Sequence, residues 1–127
     1  MPGSKRPTLT EAEHRIMRVL WSRKEATVTH VMEAIEQPRL ARNTIQTMLG
    51  ILERKGYAKH RIEGRTFVYR ARVTEDAVQH AALDYTLSRF FDGSSERLVM
   101  RLVDRDRISK SDAERIARLL ASDGPEE

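Results

Sequence analysis

One segment in the middle of the chain constrains the fold most, because its apolar residues repeat with helical spacing over residues 42–55. The i, i+3, i+4, i+7 stripe of one helix face consists of Ile45, Met48, Leu49 and Leu52. The opposite face carries Asn43, Gln46, Thr47, Gly50 and Arg54. Gly56 directly follows two cationic residues, and a glycine after cations in the last turn is typical of a helix C-terminus. We predict a helix with one buried and one polar face, whose outward glycine costs about 1 kcal/mol of helix propensity unless a close approach offsets it.

After Gly56 the spacing of the apolar residues changes from helical to roughly alternating, which predicts strands over residues 57–62 and 66–72. The turn between the strands contains Gly64, which can supply the positive φ of a tight hairpin. The tip and outer face of this hairpin are basic, with Lys59, His60, Arg61, Arg65 and Arg70. The stretch is therefore interpreted as a cationic β-hairpin.

Two helices are predicted ahead of the central segment. Thr10 and Glu13 have capping-box spacing at the start of the first helix, which we expect to end near residues 22–24. Thr27 suits the N-cap of the second, and Pro38 stops it because proline cannot continue the helical hydrogen-bond ladder. Three helices closed by a two-stranded ribbon make a winged helix-turn-helix.

From residue 73 onward the periodicity is helical again, with helices expected from residue 74 or 75 to 91, from 95 to 104 and from 109 to 122. These short helices carry more apolar residues than they can bury alone, so a second copy of the chain is the expected partner. The interface residues predicted are Leu83, Leu87, Phe90, Phe91, Leu98, Val99, Leu102, Val103, Ile116, Leu119 and Leu120. The predicted fold is mainly α with a small β-hairpin wing. A winged helix-turn-helix DNA-binding domain over residues 1–72 precedes a helical dimerisation domain over residues 73–127.

Charge divides the chain at the same place. The net charge is +4, but residues 1–72 hold 15 lysines and arginines against 7 acidic residues, whereas residues 73–127 hold 8 against 12. A basic half joined to an acidic half is typical of a polyanion-binding module followed by a unit with another task. Charge alone leaves open a chance gradient on one soluble domain.

Several function classes are excluded by residues that the chain lacks. With no cysteine, it has no disulfide, iron–sulfur cluster, thiolate zinc site or cysteine nucleophile. Its four histidines lack ligand spacing, so we expect no metal and no cofactor. No phosphate loop, nucleophile elbow or apolar carboxylate pair is present, and we predict that the protein is not an enzyme. No apolar run can span a bilayer or form a signal peptide, so we expect no membrane insertion and cytoplasmic residence.

Taken in order, short motifs along the chain resemble the penicillinase-repressor family of winged-helix regulators, the BlaI, MecI and CopY type. The motifs are LTEAE at 9–13, VLW at 19–21, NTIQTML at 43–49, KGY at 55–57, GR at 64–65, FVY at 67–69 and FFDGS at 90–94. The resemblance spans nearly the whole chain. It implies a homodimeric transcriptional repressor that binds palindromic operators in double-stranded DNA and is held together by its C-terminal helices.

Two features of that family are missing, and both concern release from DNA. The copper-responsive members carry C-terminal Cys-x-Cys pairs, which a chain without cysteine cannot supply. The β-lactam-responsive members are cut at an Asn-Phe bond, and the matching position here is the bond between Arg101 and Leu102. Proteolytic release would therefore need a protease of different bond preference, with a membrane sensor metalloprotease as the candidate partner.

The polar face of the central helix supplies the predicted base contacts. The carboxamide of Gln46 can pair with adenine N6 and N7 in the major groove, and Thr47 can offer its methyl group to thymine. Residues at the helix start can contact base edges or phosphates, and the remaining cations are predicted as phosphate or wing contacts. The predicted DNA-binding residues are Arg42, Asn43, Thr44, Gln46, Thr47, Arg54, Lys55, His60, Arg61 and Arg65. For each one, an ordinary solvated surface position is the alternative.

Two other functions stay open from the sequence. One is a ligand-sensing winged-helix regulator of the MarR kind, whose dimer helices enclose an effector pocket. The other is a winged-helix protein-interaction module that binds no DNA, for which a Gln46→Ala substitution would leave duplex affinity unchanged. The sequence names neither the operator nor the inducing signal.

Overall fold

The computed structural model describes residues 9–122, in which helices and one hairpin follow one another along the chain. The elements are α1 (Glu11–Arg23), α2 (Val28–Ala34), α3 (Arg42–Lys55), β1 (Ala58–Glu63), β2 (Thr66–Ala71), α4 (Glu75–Phe90), α5 (Ser95–Asp104) and α6 (Lys110–Ala121). The chain forms two compact units that divide between Leu83 and Asp84, within α4. The predicted fold class, mainly helical with a small β-hairpin wing, is confirmed. The assignment of DNA binding to residues 1–72 and of dimerisation to residues 73–127 stays a prediction.

The core of the first unit forms where the apolar stripes of α1, α2 and α3 meet. Its largest fully buried side chains are Ile16, Met17, Leu20, Val31, Ile45, Leu49 and Leu52. Burying each of these side chains contributes about 1.5–3 kcal/mol. Both predicted N-caps are in place, because the hydroxyl of Thr10 accepts from the Glu13 N–H at 3.1 Å and that of Thr27 accepts from the His30 N–H at 3.1 Å.

The second helix ends earlier than its proline suggested. We expected Pro38 to stop α2, but the helix ends at Ala34, and Ile35 already has extended backbone angles. In that conformation the Ile35 side chain is 5% exposed and belongs to the core. The helix therefore ends where this isoleucine enters the core. That point lies ahead of the residue whose conformation Pro38 restricts.

The predicted hairpin is confirmed, with each outer end shorter by one residue. Gly56 closes α3 in the left-handed conformation at φ +91°, and Gly64 turns the hairpin at φ +66°. The strands are antiparallel with Glu63 opposite Thr66 at the turn. Ala26 adds a bridge to Tyr69, the N–H of each residue donating to the carbonyl of the other at 2.9 and 2.8 Å. The hairpin is thereby tied to the segment between α1 and α2.

After the hairpin the chain passes back to α1, where the indole N–H of Trp21 donates to the Val73 carbonyl at 2.9 Å. In the second unit, Ser94 caps α5 and Ser109 caps α6. Each serine hydroxyl accepts a hydrogen bond from the backbone N–H three residues further along the chain. Asp92 and Gly93 form the turn ahead of α5 with positive φ angles of 50° and 79°. The three predicted C-terminal helices are thus present.

Candidate nucleic-acid interface

Helix α3 has one buried face and one polar face, as its sequence pattern predicts. Ile45, Leu49 and Leu52 are fully buried, whereas Met48 is only half-buried. The exposed predicted contacts on this helix are Arg42, Asn43, Thr44, Gln46, Thr47, Arg54 and Lys55. The helix therefore holds a row of hydrogen-bonding side chains outward from a fixed core.

Gly50 lies on the same helix and has no packing reason to be a glycine. Its backbone is helical, and a Cβ built on it would meet nothing within 4 Å. An alanine there would increase helix propensity by about 1 kcal/mol without any clash in the chain itself. This open space is what a close approach by another molecule would use.

The N-terminus of α3 differs from the other helix starts that the structure describes. Its N-cap is Ala41, which makes no side-chain hydrogen bond to the helix, whereas a threonine or serine hydroxyl caps α1, α2, α5 and α6. Beside this terminus, Arg42 Nη2 donates to Thr29 Oγ1 of α2 at 2.8 Å. A helix N-terminus without a side-chain cap, next to an arginine, favours a phosphate.

Arg61 of the wing forms ion pairs with two carboxylates. Arg61 Nη1 lies 2.6 Å from Glu25 Oε2, and Arg61 Nη2 lies 3.1 Å from Glu63 Oε2. The hydrogen bond from Arg61 lowers the pKa of Glu25, and the bonds to Glu25 and Glu63 raise the pKa of Arg61. Arg61 thus joins the wing to the segment between α1 and α2, and its charge is already partly neutralised.

Lys55 and His60, two further predicted contacts, also meet carboxylates. Lys55 Nζ lies 2.9 Å from Oε1 of Glu13, which is 4% exposed. His60 Nδ1 lies 2.7 Å from Glu53 Oε1, so a wing residue is bonded to the end of α3. The side chain of Tyr69 is buried beside this contact, and that burial, with a smaller contribution from Glu53, raises the pKa of its phenol. Lys55 and His60 are therefore each engaged in a contact inside the protein, in addition to any contact with DNA.

A groove between the start of α3 and the wing brings three predicted contacts together. Arg42 and Gln46 line one side of it, and Arg65 lines the other, around a volume of about 730 Å³. Asn43, Thr44, Thr47 and Arg54 lie elsewhere on the exposed surface of α3. The same groove is therefore lined by Gln46, which is predicted to read a base, and by two arginines.

Sequence reasoning missed the carboxylates that organise this surface. Glu13 was identified as a cap, but its bond to Lys55 joins residues 42 positions apart. Glu25 and Glu53 were not singled out, although each holds a predicted DNA-binding residue. No local spacing signals such pairs, because they depend on how α1, α3 and the wing pack.

The apolar residues predicted for a dimer interface remain at the surface of the protomer. Helices α4, α5 and α6 contain no buried residue among the positions that the structure describes. More than a third of the residue surface is exposed in Leu83, Phe90, Val99, Leu102, Val103, Ile116, Leu119 and Leu120. Leu87, Phe91 and Leu98 are half-buried, and Met100, which the sequence reading did not include, is 51% exposed.

Over residues 9–122, the structure brings no three histidine or acidic side chains together in a metal-binding arrangement. Within the same range, no helix combines the length and the apolar composition that crossing a bilayer requires. The described surface is therefore characterised by its polar helix, its cationic wing and its apolar C-terminal helices.

A two-faced helix preceded by a short helix and followed by a cationic hairpin defines a winged helix-turn-helix DNA-binding protein. The family model for the penicillinase repressor matches residues 9–122. The penicillinase repressor of Bacillus licheniformis is 28% identical over 115 residues, which cover 90% of each chain. The methicillin resistance regulatory protein MecI of Staphylococcus aureus (strain N315) is 23% identical over 113 residues, covering 88% of this chain and 92% of MecI.

Among solved structures, the DNA-binding domain of the repressor BlaI is 34% identical and covers 54% of this chain and 85% of its own, with a TM-score of 0.50. The chain belongs to the penicillinase repressor family. It is a DNA-binding transcriptional repressor and not an enzyme.

Proposed function

We propose that the protein represses transcription as a homodimer bound to a palindromic operator in double-stranded DNA. In this proposal α3 enters the major groove, the wing follows the backbone, and α4, α5 and α6 form the two-fold interface. A two-fold dimer requires a palindromic site with half-sites separated by about one helical turn or a simple multiple of it. Since a repressor acts where the DNA is, we expect cytoplasmic residence.

Base recognition is supported by the exposed polar face of α3. In the proposal Gln46 reads adenine and Thr47 contacts a thymine methyl group. Arg42, Asn43 and Thr44 begin the helix, whose N-cap makes no side-chain hydrogen bond. Arg54 and Arg65 are assigned to phosphates. Lys55, His60 and Arg61 are assigned a supporting part, because each one already meets a carboxylate.

Dimerisation is supported by the apolar surface of the C-terminal helices, which is the single observation that carries the homodimer. Phe90 is 66% exposed and Leu120 is 75% exposed in the protomer. Large contiguous apolar surface on a protomer marks an interaction site, and a second copy is the commonest partner. The acidic excess of this half keeps it away from the DNA phosphates.

For release we propose cleavage in α5, at the bond between Arg101 and Leu102, by a membrane sensor metalloprotease. Leu102 is 36% exposed, and Arg101 Nη1 pairs with Asp104 Oδ2 at 2.9 Å. Because the bond lies inside a helix, a protease must first open that turn. Mass spectrometry of the repressor after incubation with such a protease tests the proposal, and a cut elsewhere would contradict it.

A second mode of release, by a ligand, is favoured by one cavity of about 590 Å³ in the first unit. Its lining is mostly apolar and includes Leu9, Tyr57, Val73 and Val78. A small molecule there would contact both the end of α3 and the start of α4. Release of the duplex from uncut protein would support this alternative and count against cleavage.

The function is tested with the full chain by sedimentation and by fluorescence anisotropy on a labelled duplex at several salt concentrations. If Arg42, Arg54 and Arg65 of both protomers each neutralise a phosphate, the plot of log K against log salt has a slope of about −5. A chain that stays monomeric at micromolar concentration and shows no salt-sensitive duplex binding would refute the proposal.

A further inference from the structure

Two large apolar side chains at the tip of the wing remain exposed, although they belong to none of the contacts assigned above. Ile62 is 61% exposed and Phe67 is 42% exposed. They face each other directly across the two strands, one pair before the turn. We call them the wing-tip pair. Adjacent exposed apolar residues at the end of a cationic hairpin indicate a contact surface, whereas scattered single ones would not.

One member of the wing-tip pair, Phe67, is linked to the end of α3 through His60. The ring of Phe67 stacks on that of His60 with centroids 4.2 Å apart and an interplanar angle of 7°. His60 is in turn bonded to Glu53 at the end of α3. The position of Phe67 is thus fixed relative to α3 before anything binds, which lowers the entropic cost of association.

Phe67 also lines the groove that contains Arg42, Gln46 and Arg65. Among the described residues that line this groove there are two arginines and no carboxylate. The groove therefore offers cations and hydroxyls together with an aromatic face. That combination matches a polymer in which anionic groups alternate with apolar rings, as phosphates alternate with deoxyriboses in a DNA strand.

We propose that this groove holds one sugar–phosphate strand of duplex DNA, with Arg42 and Arg65 on its phosphates. Phe67 in the groove and Ile62, its cross-strand neighbour at the wing tip, pack against the deoxyribose rings of that strand. The inference rests on the proposed function and adds an apolar part to the interface. A protein segment in the groove is the alternative occupant, but the two arginines without a lining carboxylate favour the anionic strand.

The test uses the full chain and a fluorescein-labelled duplex of random sequence, because contacts to the sugar–phosphate strand do not depend on sequence. We expect Ile62→Ala and Phe67→Ala each to weaken binding about fivefold to tenfold through lost apolar burial. Their log–log salt slope should equal that of the wild type, since no phosphate contact is removed. In contrast, Arg65→Ala should reduce the slope by about one unit per protomer.

Two controls separate packing on DNA from support of the wing. Phe67→Leu keeps an apolar side chain but loses the stack on His60, so it should retain most of the affinity. Ile62 takes no part in the stack between Phe67 and His60, so Ile62→Ala reports on DNA packing even if Phe67→Ala loosens the wing.

Wild-type affinity in Ile62→Ala and Phe67→Ala would overturn the inference. A changed dimerisation constant with unchanged duplex affinity would likewise overturn it and point to a protein in the groove. If the wild-type chain binds no duplex at all, the proposed function itself fails, which is a distinct result.

Discussion

The contact between Lys55 and Glu13 leads to the sharpest stability prediction. The Glu13 carboxylate oxygen accepts from Lys55 Nζ at 2.9 Å and from the Thr10 N–H at 2.9 Å. Its side chain is 6% exposed, whereas that of Lys55 is 30% exposed. Lys55→Ala therefore takes this cation away from a nearly buried carboxylate, which keeps the bond from the Thr10 N–H.

Breaking a fully buried ion pair costs about 3–5 kcal/mol, but Lys55 keeps contact with water and Glu13 keeps the Thr10 bond. The lower range of about 1–3 kcal/mol for an incompletely satisfied buried group is therefore expected. In a unit of this size, each 1 kcal/mol lowers Tm by about 4–8 °C. Thermal unfolding followed by circular dichroism measures the change.

The neighbouring exposed cation provides a matched control. Arg54→Ala should change the unfolding free energy by less than about 0.5 kcal/mol while reducing the salt slope of duplex binding. A double-mutant cycle isolates the pair, because Lys55→Ala should cost much less in a Glu13→Gln background. Equal Tm values for Lys55→Ala and Arg54→Ala, or equal costs in both backgrounds, would refute the reasoning.

Three further predictions concern other parts of the chain. Gly50→Ala should raise the unfolding free energy by about 0.5–1 kcal/mol and weaken duplex binding, and unchanged affinity would exclude close approach at this position. Val99→Glu should give a monomer in sedimentation while Glu114→Gln stays dimeric; a dimeric Val99→Glu would count against the C-terminal interface. Because Arg61 lowers the folded-state pKa of Glu25, their contact contributes stability above the ordinary glutamate pKa and loses it as pH falls through the lowered value. Carbon-13 NMR should show Glu25 titrating higher in Arg61→Ala, and an identical titration would contradict the contact.

Local patterns were sufficient for the elements of the first unit. The stripe ending at Leu52, the glycine at position 56 and the cap at Thr10 predicted α3, its end and the start of α1. Each of these depends on side chains within a few residues. The early end of α2 was not predicted, because it accompanies the packing of Ile35 into a core that distant helices complete.

The candidate site was predictable in its residue types but not in its internal contacts. Exposed polar residues on α3 follow directly from the helical period, so Gln46 and Thr47 were placed on the surface. Glu13 lies 42 positions from Lys55 and Glu25 lies 36 positions from Arg61, while Glu53 on α3 meets His60 on the wing only because the two elements pack together. Whether a surface cation is available to DNA therefore depends on tertiary packing. Local sequence patterns do not predict that packing.

The central claim is that the polar face of α3 reads an operator. The most direct measurement compares wild type and Gln46→Ala by anisotropy on two duplexes, one selected from a random pool by the wild-type protein and one of scrambled sequence. The account predicts that Gln46→Ala loses about 1–3 kcal/mol per half-site on the selected duplex and keeps its affinity for the scrambled one. Unchanged affinity on the selected duplex would contradict it.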